Sequence, residues 1–184
     1  PSFEMYWVNC CILGYHHVPV AYELDMSIKI EKILSAITEN TRIIALLNPN
    51  NPIGNVYTKE DIERVIEKAK QVGAVLIIDE AYHYYYPNTF LPLALENDNV
   101  IILRTFSKAF SIPALRLGVI ISNPKIIHYI NNAKMTFDVN SIALLFGERL
   151  LDHPAILNEI VESESQGKSY TLNELSKKGY VCRD

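Results

Sequence analysis

The chain has 184 residues, 49% of them hydrophobic, which suits one domain of ordinary size with a substantial core. A formal net charge of −4 gives no basic surface for nucleic acid or for an anionic membrane, so we expect a small-molecule partner. No apolar stretch approaches the roughly 20 residues of a membrane span, and the three cysteines lack metal-site spacing, so we expect a cytoplasmic protein without a bound metal.

Strands and helices alternate along the chain, which predicts an α/β fold. After a first segment that enters a helix, continuous apolar runs at 42–47, 74–79 and 100–103 are typical of buried strands in a parallel sheet. A further strand is expected at 117–122. We therefore predict a mixed, mostly parallel sheet with flanking helices.

Local signals predict where the helices begin and end. Thr58 carries a capping-box signal, so a helix begins near it, and Gly73 stands where a helix commonly ends. Asn123 precedes a first-turn proline and predicts the cap of another helix. A long, polar-faced helix is expected from Pro154 to about Lys178, and it could connect two domains.

Two loops with definite polar chemistry follow the first two of these strands. In "NPNNPIG", two prolines and a glycine fix a rigid turn that can present Asn51 as a side-chain donor. In "DEAY", Asp79 ends a strand and Tyr82 follows three residues later. Ligands of such folds bind at the carboxyl ends of the strands, so both loops are candidates for one site.

A third loop, "TFSKAFSIPALRLG", follows the next strand. It supplies hydroxyls at Thr105 and Ser107, an amine at Lys108 and a guanidinium at Arg116, and hydroxyls with arginine suit a phosphate. An amine that can form a Schiff base, a phosphate clamp and a carboxylate for a protonated ring nitrogen are the requirements of a pyridoxal phosphate site. The three loops together therefore predict that cofactor.

Each of these residues has a plainer explanation when it is taken alone. Asp79 could cap the end of a strand, Lys108 could lie on the surface, and Arg116 could form an ordinary salt bridge. The combination favours a site, because each group meets a different requirement of the cofactor.

The three motifs closely resemble those of the fold type I, class I and II aminotransferases, and within them the histidinol-phosphate aminotransferase branch. The resemblance implies that Lys108 holds the cofactor covalently and moves a proton between the substrate carbon and the cofactor carbon. It implies that Asp79 pairs with the pyridinium nitrogen, and that Asn51 and Tyr82 hydrogen-bond the phenolic oxygen of the ring.

The same resemblance implies the remaining contacts. Thr105, Ser107 and Arg116 would hold the phosphate, and Phe3 would stack on the face of the ring. Ile53 departs from the family pattern, which more often has threonine or serine there, and this weakens any transfer of substrate specificity.

The resemblance also implies an activity and a domain organisation. We expect an amino group to move between an amino acid or amino phosphate and a 2-oxo acid, in a homodimer. Decarboxylation, as in the similar threonine-phosphate decarboxylases, and a non-catalytic fragment that retains the motifs are the alternatives. Residues 1–150 would belong to the large domain, and 151–184 would form a connecting helix and the start of a small domain. The chain resembles an internal fragment, without the family's amino-terminal phosphate loop and its carboxylate-binding arginine.

Overall fold

The computed structural model describes residues 2–182; positions 1, 183 and 184 of the predicted domains lie outside that range. Within it, four strands form one sheet in the order β1-β2-β3-β4. They are β1 (Ile43–Leu47), β2 (Val75–Asp79), β3 (Val100–Thr105) and β4 (Gly118–Ser122). β1, β2 and β3 are parallel, and β4 pairs antiparallel with β3. The predicted mixed, mostly parallel α/β sheet is confirmed.

Seven α-helices accompany the sheet in the described range. They are α1 (Met5–Leu13), α2 (Ile30–Ala36), α3 (Lys59–Val72), α4 (Leu91–Glu96), α5 (Pro124–Ala133), α6 (Ser141–Asp152) and α7 (Pro154–Lys177). Short 3-10 turns lie at His83–Tyr85 and Pro113–Leu115.

α3 follows the predicted pattern closely. The Thr58 hydroxyl accepts a hydrogen bond from the Asp61 N–H at 3.1 Å, and Gly73 ends the helix in the left-handed conformation that favours glycine. The apolar stripe of the helix is buried in the main core: Ile62, Val65, Ile66 and Ala69. The caps fix the length of α3, and the stripe fixes its orientation against the core.

The register of the parallel strands brings their carboxyl ends to one edge of the sheet. Leu47 lies opposite Asp79, and Asp79 lies opposite Leu103. The loops that follow β1 and β2 therefore start side by side. One expectation was wrong: β1 is not buried throughout, because Ile43 is 59% exposed and Ala45 is exposed too, whereas Ile44, Leu46 and Leu47 are buried.

The chain divides into two compact units. The first runs to Thr105 and continues through Gly118–Asp138, and it contains the sheet. The second comprises Phe106–Leu117 and the residues from Val139 onward. Within the second unit, α6 lies close to the segment Phe106–Leu117 at Gly147. A residue with a Cβ at position 147 would overlap the Leu117 side chain. The predicted domain boundary after residue 150 concerns the longer family fold and stays a prediction.

Candidate active site

Asp79 is the last residue of β2 and is partly buried at the carboxyl edge of the sheet. Its Oδ1 accepts a hydrogen bond from the Ala81 N–H at 3.0 Å. Its Oδ2 accepts one from the Tyr6 hydroxyl at 2.7 Å. The carboxylate predicted for the ring nitrogen is thus held by donors from two separate segments of the chain.

Tyr6 comes from α1 and lies beside Phe3. Burial, followed by the charge of Asp79 and the hydrogen bond to it, raises the pKa of the Tyr6 phenol well above its ordinary value. The phenol therefore keeps its proton and acts as a donor. The rings of Phe3 and Tyr6 meet edge to face, with centroids 6.3 Å apart and planes at 82°. Phe3, the residue predicted to stack on the cofactor ring, is 47% exposed. Its ring contacts the ring of Tyr6, which is bonded to Asp79.

Asn48, the first residue of the loop "NPNNPIG", holds that loop against the end of β2. The Asn48 N–H donates to the Asp79 carbonyl at 2.8 Å, and Asn48 Oδ1 accepts from the Tyr57 N–H at 2.9 Å. The N–H of Gly54, which has a φ of 83°, donates to the Asn50 carbonyl at 2.7 Å and closes the turn. Asn51, predicted to face the cofactor, is partly buried within this fixed loop.

A buried glutamate organises the loop that carries Tyr82. The side chain of Glu80 is inaccessible to solvent and pairs with Arg104 on β3 at 2.8 Å. It also accepts hydrogen bonds from the Phe90 N–H at 2.7 Å and from the Thr89 hydroxyl at 2.8 Å. These contacts join the segment after β2 to β3 and to the start of α4. Tyr82, two residues later, is partly buried and starts the turn at His83–Tyr85.

Thr105 completes the set of predicted residues in the first unit. It is the last residue of β3, it is partly buried, and it pairs with Gly118 of β4. The first unit therefore places Asp79 and Thr105 at the ends of the neighbouring strands β2 and β3, and Asn51 in the loop that follows β1. Tyr82 follows Asp79 closely in the chain.

Ser107, Lys108 and Arg116 belong to the second unit. Ser107 is partly buried and Lys108 is exposed, and the Lys108 carbonyl accepts from the Ser111 N–H at 2.8 Å. Arg116 has a φ of 52°, in the left-handed region, and its Nη1 donates to the Pro113 carbonyl at 2.8 Å. Their membership of one site with Asp79 stays a prediction.

The model of the family described as aminotransferase class I and II matches residues 1–183. The chain belongs to this family. It is 34% identical to a histidinol-phosphate aminotransferase of Thermoanaerobacter pseudethanolicus over 178 aligned residues. The alignment covers 96% of this chain and 50% of that relative. A histidinol-phosphate aminotransferase of Thermotoga neapolitana is 36% identical over 181 residues, with 96% of the chain and 51% of the relative covered. The chain spans about half the length of the curated relatives it matches.

Solved structures of aminotransferases share the fold. The histidinol-phosphate aminotransferase of Clostridium acetobutylicum superposes with a TM-score of 0.89 at 27% identity, over 100% of this chain and 56% of that one. A histidinol-phosphate aminotransferase of Sinorhizobium meliloti, solved in complex with pyridoxal-5'-phosphate, gives a TM-score of 0.84 at 24% identity, over 97% of this chain and 49% of that one. Among residues 2–182, no helix combines the length and the apolar character that crossing a membrane requires.

Sequence reasoning missed three side chains that organise this part of the family fold. Tyr6 lies in α1 and Phe3 precedes that helix, so no helical spacing relates the two residues, and no local signal in the sequence reveals the bond from Tyr6 to Asp79. Glu80 and Arg104 are the other two. A charged residue near the end of the apolar strand "VIILRT" signals a buried partner, because an unpaired charge is rarely buried.

Proposed function

We propose that the chain forms most of the cofactor-binding domain of a pyridoxal phosphate-dependent aminotransferase. Its reaction moves an amino group between an amino acid or an amino phosphate, of the histidinol-phosphate type, and a 2-oxo acid. The proposal rests on the Asp79 carboxylate, which the Tyr6 hydroxyl and the Ala81 N–H hold at the carboxyl edge of the sheet. The chain that contains this sheet matches the aminotransferase family.

The side chains of the first unit fit this cofactor. Each oxygen of a carboxylate accepts up to two hydrogen bonds, so both Asp79 oxygens retain capacity for a ring N–H. The Asn48 Nδ2 is buried and has no hydrogen-bond partner among the described residues, and the backbone N–H of the same residue bonds the Asp79 carbonyl. Phe3 is an exposed aromatic residue whose ring contacts that of Tyr6, the residue bonded to Asp79.

When bound, pyridoxal phosphate draws electrons from the substrate carbon into its protonated ring, which makes the proton on that carbon acidic. In our proposal Lys108 Nζ would hold the cofactor and would move that proton between the substrate carbon and the cofactor carbon. Asp79 would accept the ring N–H, and its charge would keep the ring protonated.

The other proposed residues bind and orient the cofactor. Asn51 and Tyr82 would donate to the phenolic oxygen of the ring, and Phe3 would cover one ring face. Thr105, Ser107 and Arg116 would hold the phosphate, since hydroxyls and a guanidinium are suited to its oxygens. These assignments follow the family motifs and are supported by the positions of Asp79 and Thr105 at the ends of neighbouring strands and of Asn51 in the loop after β1.

The same residues could serve a decarboxylase. The L-threonine-O-3-phosphate decarboxylase of Porphyromonas gingivalis shares the fold with a TM-score of 0.68 at 24% identity, covering 85% of this chain and 48% of that one. Product analysis separates the two activities, because transamination yields a 2-oxo acid from the donor and decarboxylation releases carbon dioxide. A chain that binds no cofactor would instead be a non-catalytic fragment.

We also propose that the enzyme is a cytoplasmic homodimer. All three cysteines, Cys10, Cys11 and Cys182, are free thiols, which is consistent with a reducing compartment. Sedimentation of the complete product of the gene tests the dimer, and fractionation of the source cells tests the location.

The role of Lys108 has a direct chemical test. Borohydride reduction of the cofactor-loaded gene product, followed by peptide mass spectrometry, should place the pyridoxyl group on Lys108. Lys108→Ala should lose the visible absorption of the bound cofactor without unfolding, since an exposed lysine contributes little to the core. Lys134→Ala, which removes another lysine of the chain, serves as the matched control. An adduct on Lys59 or Lys134 would contradict the assignment.

A further inference from the structure

Tyr6 contacts Asp79 from a distant part of the chain. The two residues are 73 positions apart, and their side chains meet at 2.7 Å, the usual distance for a hydrogen bond between a hydroxyl and a carboxylate. Within α1 no residue is fully buried, and Tyr6, Val8 and Cys10 are partly buried. The bond from Tyr6 ties α1 to the carboxyl end of β2.

This bond restrains a carboxylate that is already held once. The Ala81 N–H, in the loop after β2, donates to Oδ1, and the Tyr6 hydroxyl, from α1, donates to Oδ2. With one donor on each oxygen, rotation of the carboxylate about its Cβ–Cγ bond is restricted. Both donors are neutral. The Ala81 donor is a backbone amide, and the Tyr6 phenol keeps its proton because burial and the Asp79 charge raise its pKa. They orient the carboxylate and leave its negative charge in place.

We infer that Tyr6 is a positioning residue that holds the Asp79 carboxylate in the orientation needed to accept the N–H of a protonated pyridine ring. The inference rests on the proposed function, because it deepens the role proposed for Asp79. Tyr6 acts through Asp79 and is assigned no contact with the cofactor. A fixed acceptor forms a short, linear bond without first losing rotational freedom, so the restraint strengthens binding of the ring.

Tyr6→Phe in the complete product of the gene tests this role, since phenylalanine keeps the ring and removes only the hydroxyl. We expect the dissociation constant for pyridoxal phosphate, measured by titration, to rise about fivefold, the size of one ordinary net hydrogen bond. NMR of an isotope-labelled pyridine nitrogen gives a readout that loss of stability alone would not change. Its resonance should move from the wild-type position toward that of Asp79→Ala.

Two further variants show whether Tyr6 acts through Asp79. In the Asp79→Ala background, adding Tyr6→Phe should weaken binding by less than about twofold, because residues that act as a unit are not additive. Tyr22→Phe is the matched control, since Tyr22 is another partly buried tyrosine, hydrogen-bonded to Tyr57. It should leave the dissociation constant and the nitrogen resonance at their wild-type values.

The outcomes separate this inference from the proposed function. If Asp79→Ala moves the nitrogen resonance and Tyr6→Phe changes neither that resonance nor the affinity, the role of Tyr6 is refuted and that of Asp79 stands. An equal loss of affinity from Tyr6→Phe with and without Asp79 would also refute it. If Asp79→Ala leaves the resonance unchanged, the proposed pairing of Asp79 with the ring fails, and the inference about Tyr6 fails with it.

Discussion

At the scale of single residues, Asp79 combines a predicted role with a defined environment. Asp79→Ala should leave attachment of the cofactor to Lys108 intact but slow removal of the substrate proton roughly hundredfold or more, since a preorganised charge at the reacting system is lost. Single-turnover measurements of the complete gene product report this step directly. Asp79→Glu, which retains the charge, should lose less. Wild-type rates in Asp79→Ala would rule out the pyridinium role.

The sequence predicted Asp79 and missed Tyr6 for a physical reason. Asp79 ends an apolar run, and the carboxyl end of such a strand is a known place for ligands. The contact with Tyr6 depends on how α1 packs against the sheet 73 residues away, and no local pattern encodes that packing. Asn51 lies in the loop after β1, as expected, whereas Thr105 was expected in the loop after 100–103 and is instead the last residue of β3. Their contacts with a ligand remain predictions.

At the scale of secondary-structure elements, the Glu80–Arg104 pair joins β3 to the segment after β2. The side chains of Glu80 and Arg104 are 0% and 17% exposed. Arg104→Met removes the charged partner and leaves the carboxylate buried, which should lower the free energy of unfolding by about 3–5 kcal/mol. Urea denaturation of the complete gene product measures this change.

An exposed ion pair in the same unit supplies the control for Arg104. The side chains of Arg64 and Glu31 are 49% and 66% exposed, and they meet at 2.9 Å. Arg64→Met should therefore cost about 1 kcal/mol or less. Equal losses in the two variants would show that burial of Glu80 does not set the strength of its pair.

Helices were predictable where their ends carry side-chain signals. Thr58 and Asn123 both accept backbone N–H groups at the starts of α3 and α5, and both helices were predicted. α2 and α4 are short and have no side-chain hydrogen bond at their caps, which explains why the sequence did not reveal them. α6 is different, because Asn140 caps it through the Ala143 N–H at 2.8 Å and this signal was overlooked.

At the scale of the whole molecule, large apolar side chains of the first unit lie at the surface. Ile43 on β1 is 59% exposed, and Val119 and Ile120 on β4 are 39% and 44% exposed. The chain also spans about half the length of its curated relatives. Sequence patterns predict that a strand exists, but they do not show what covers each of its faces, which depends on neighbouring chain segments.

We predict that the 184-residue chain alone does not turn over. The chain aligns with about half the length of its curated relatives, and loss of precise substrate placement can raise a reaction barrier by several kcal/mol. Exposed apolar side chains should also make the chain associate. Transaminase assays of the chain and of the complete gene product, with the same donors and added pyridoxal phosphate, should show activity in the complete product alone. Equal rates would mean that the 184 residues contain every group that the reaction needs.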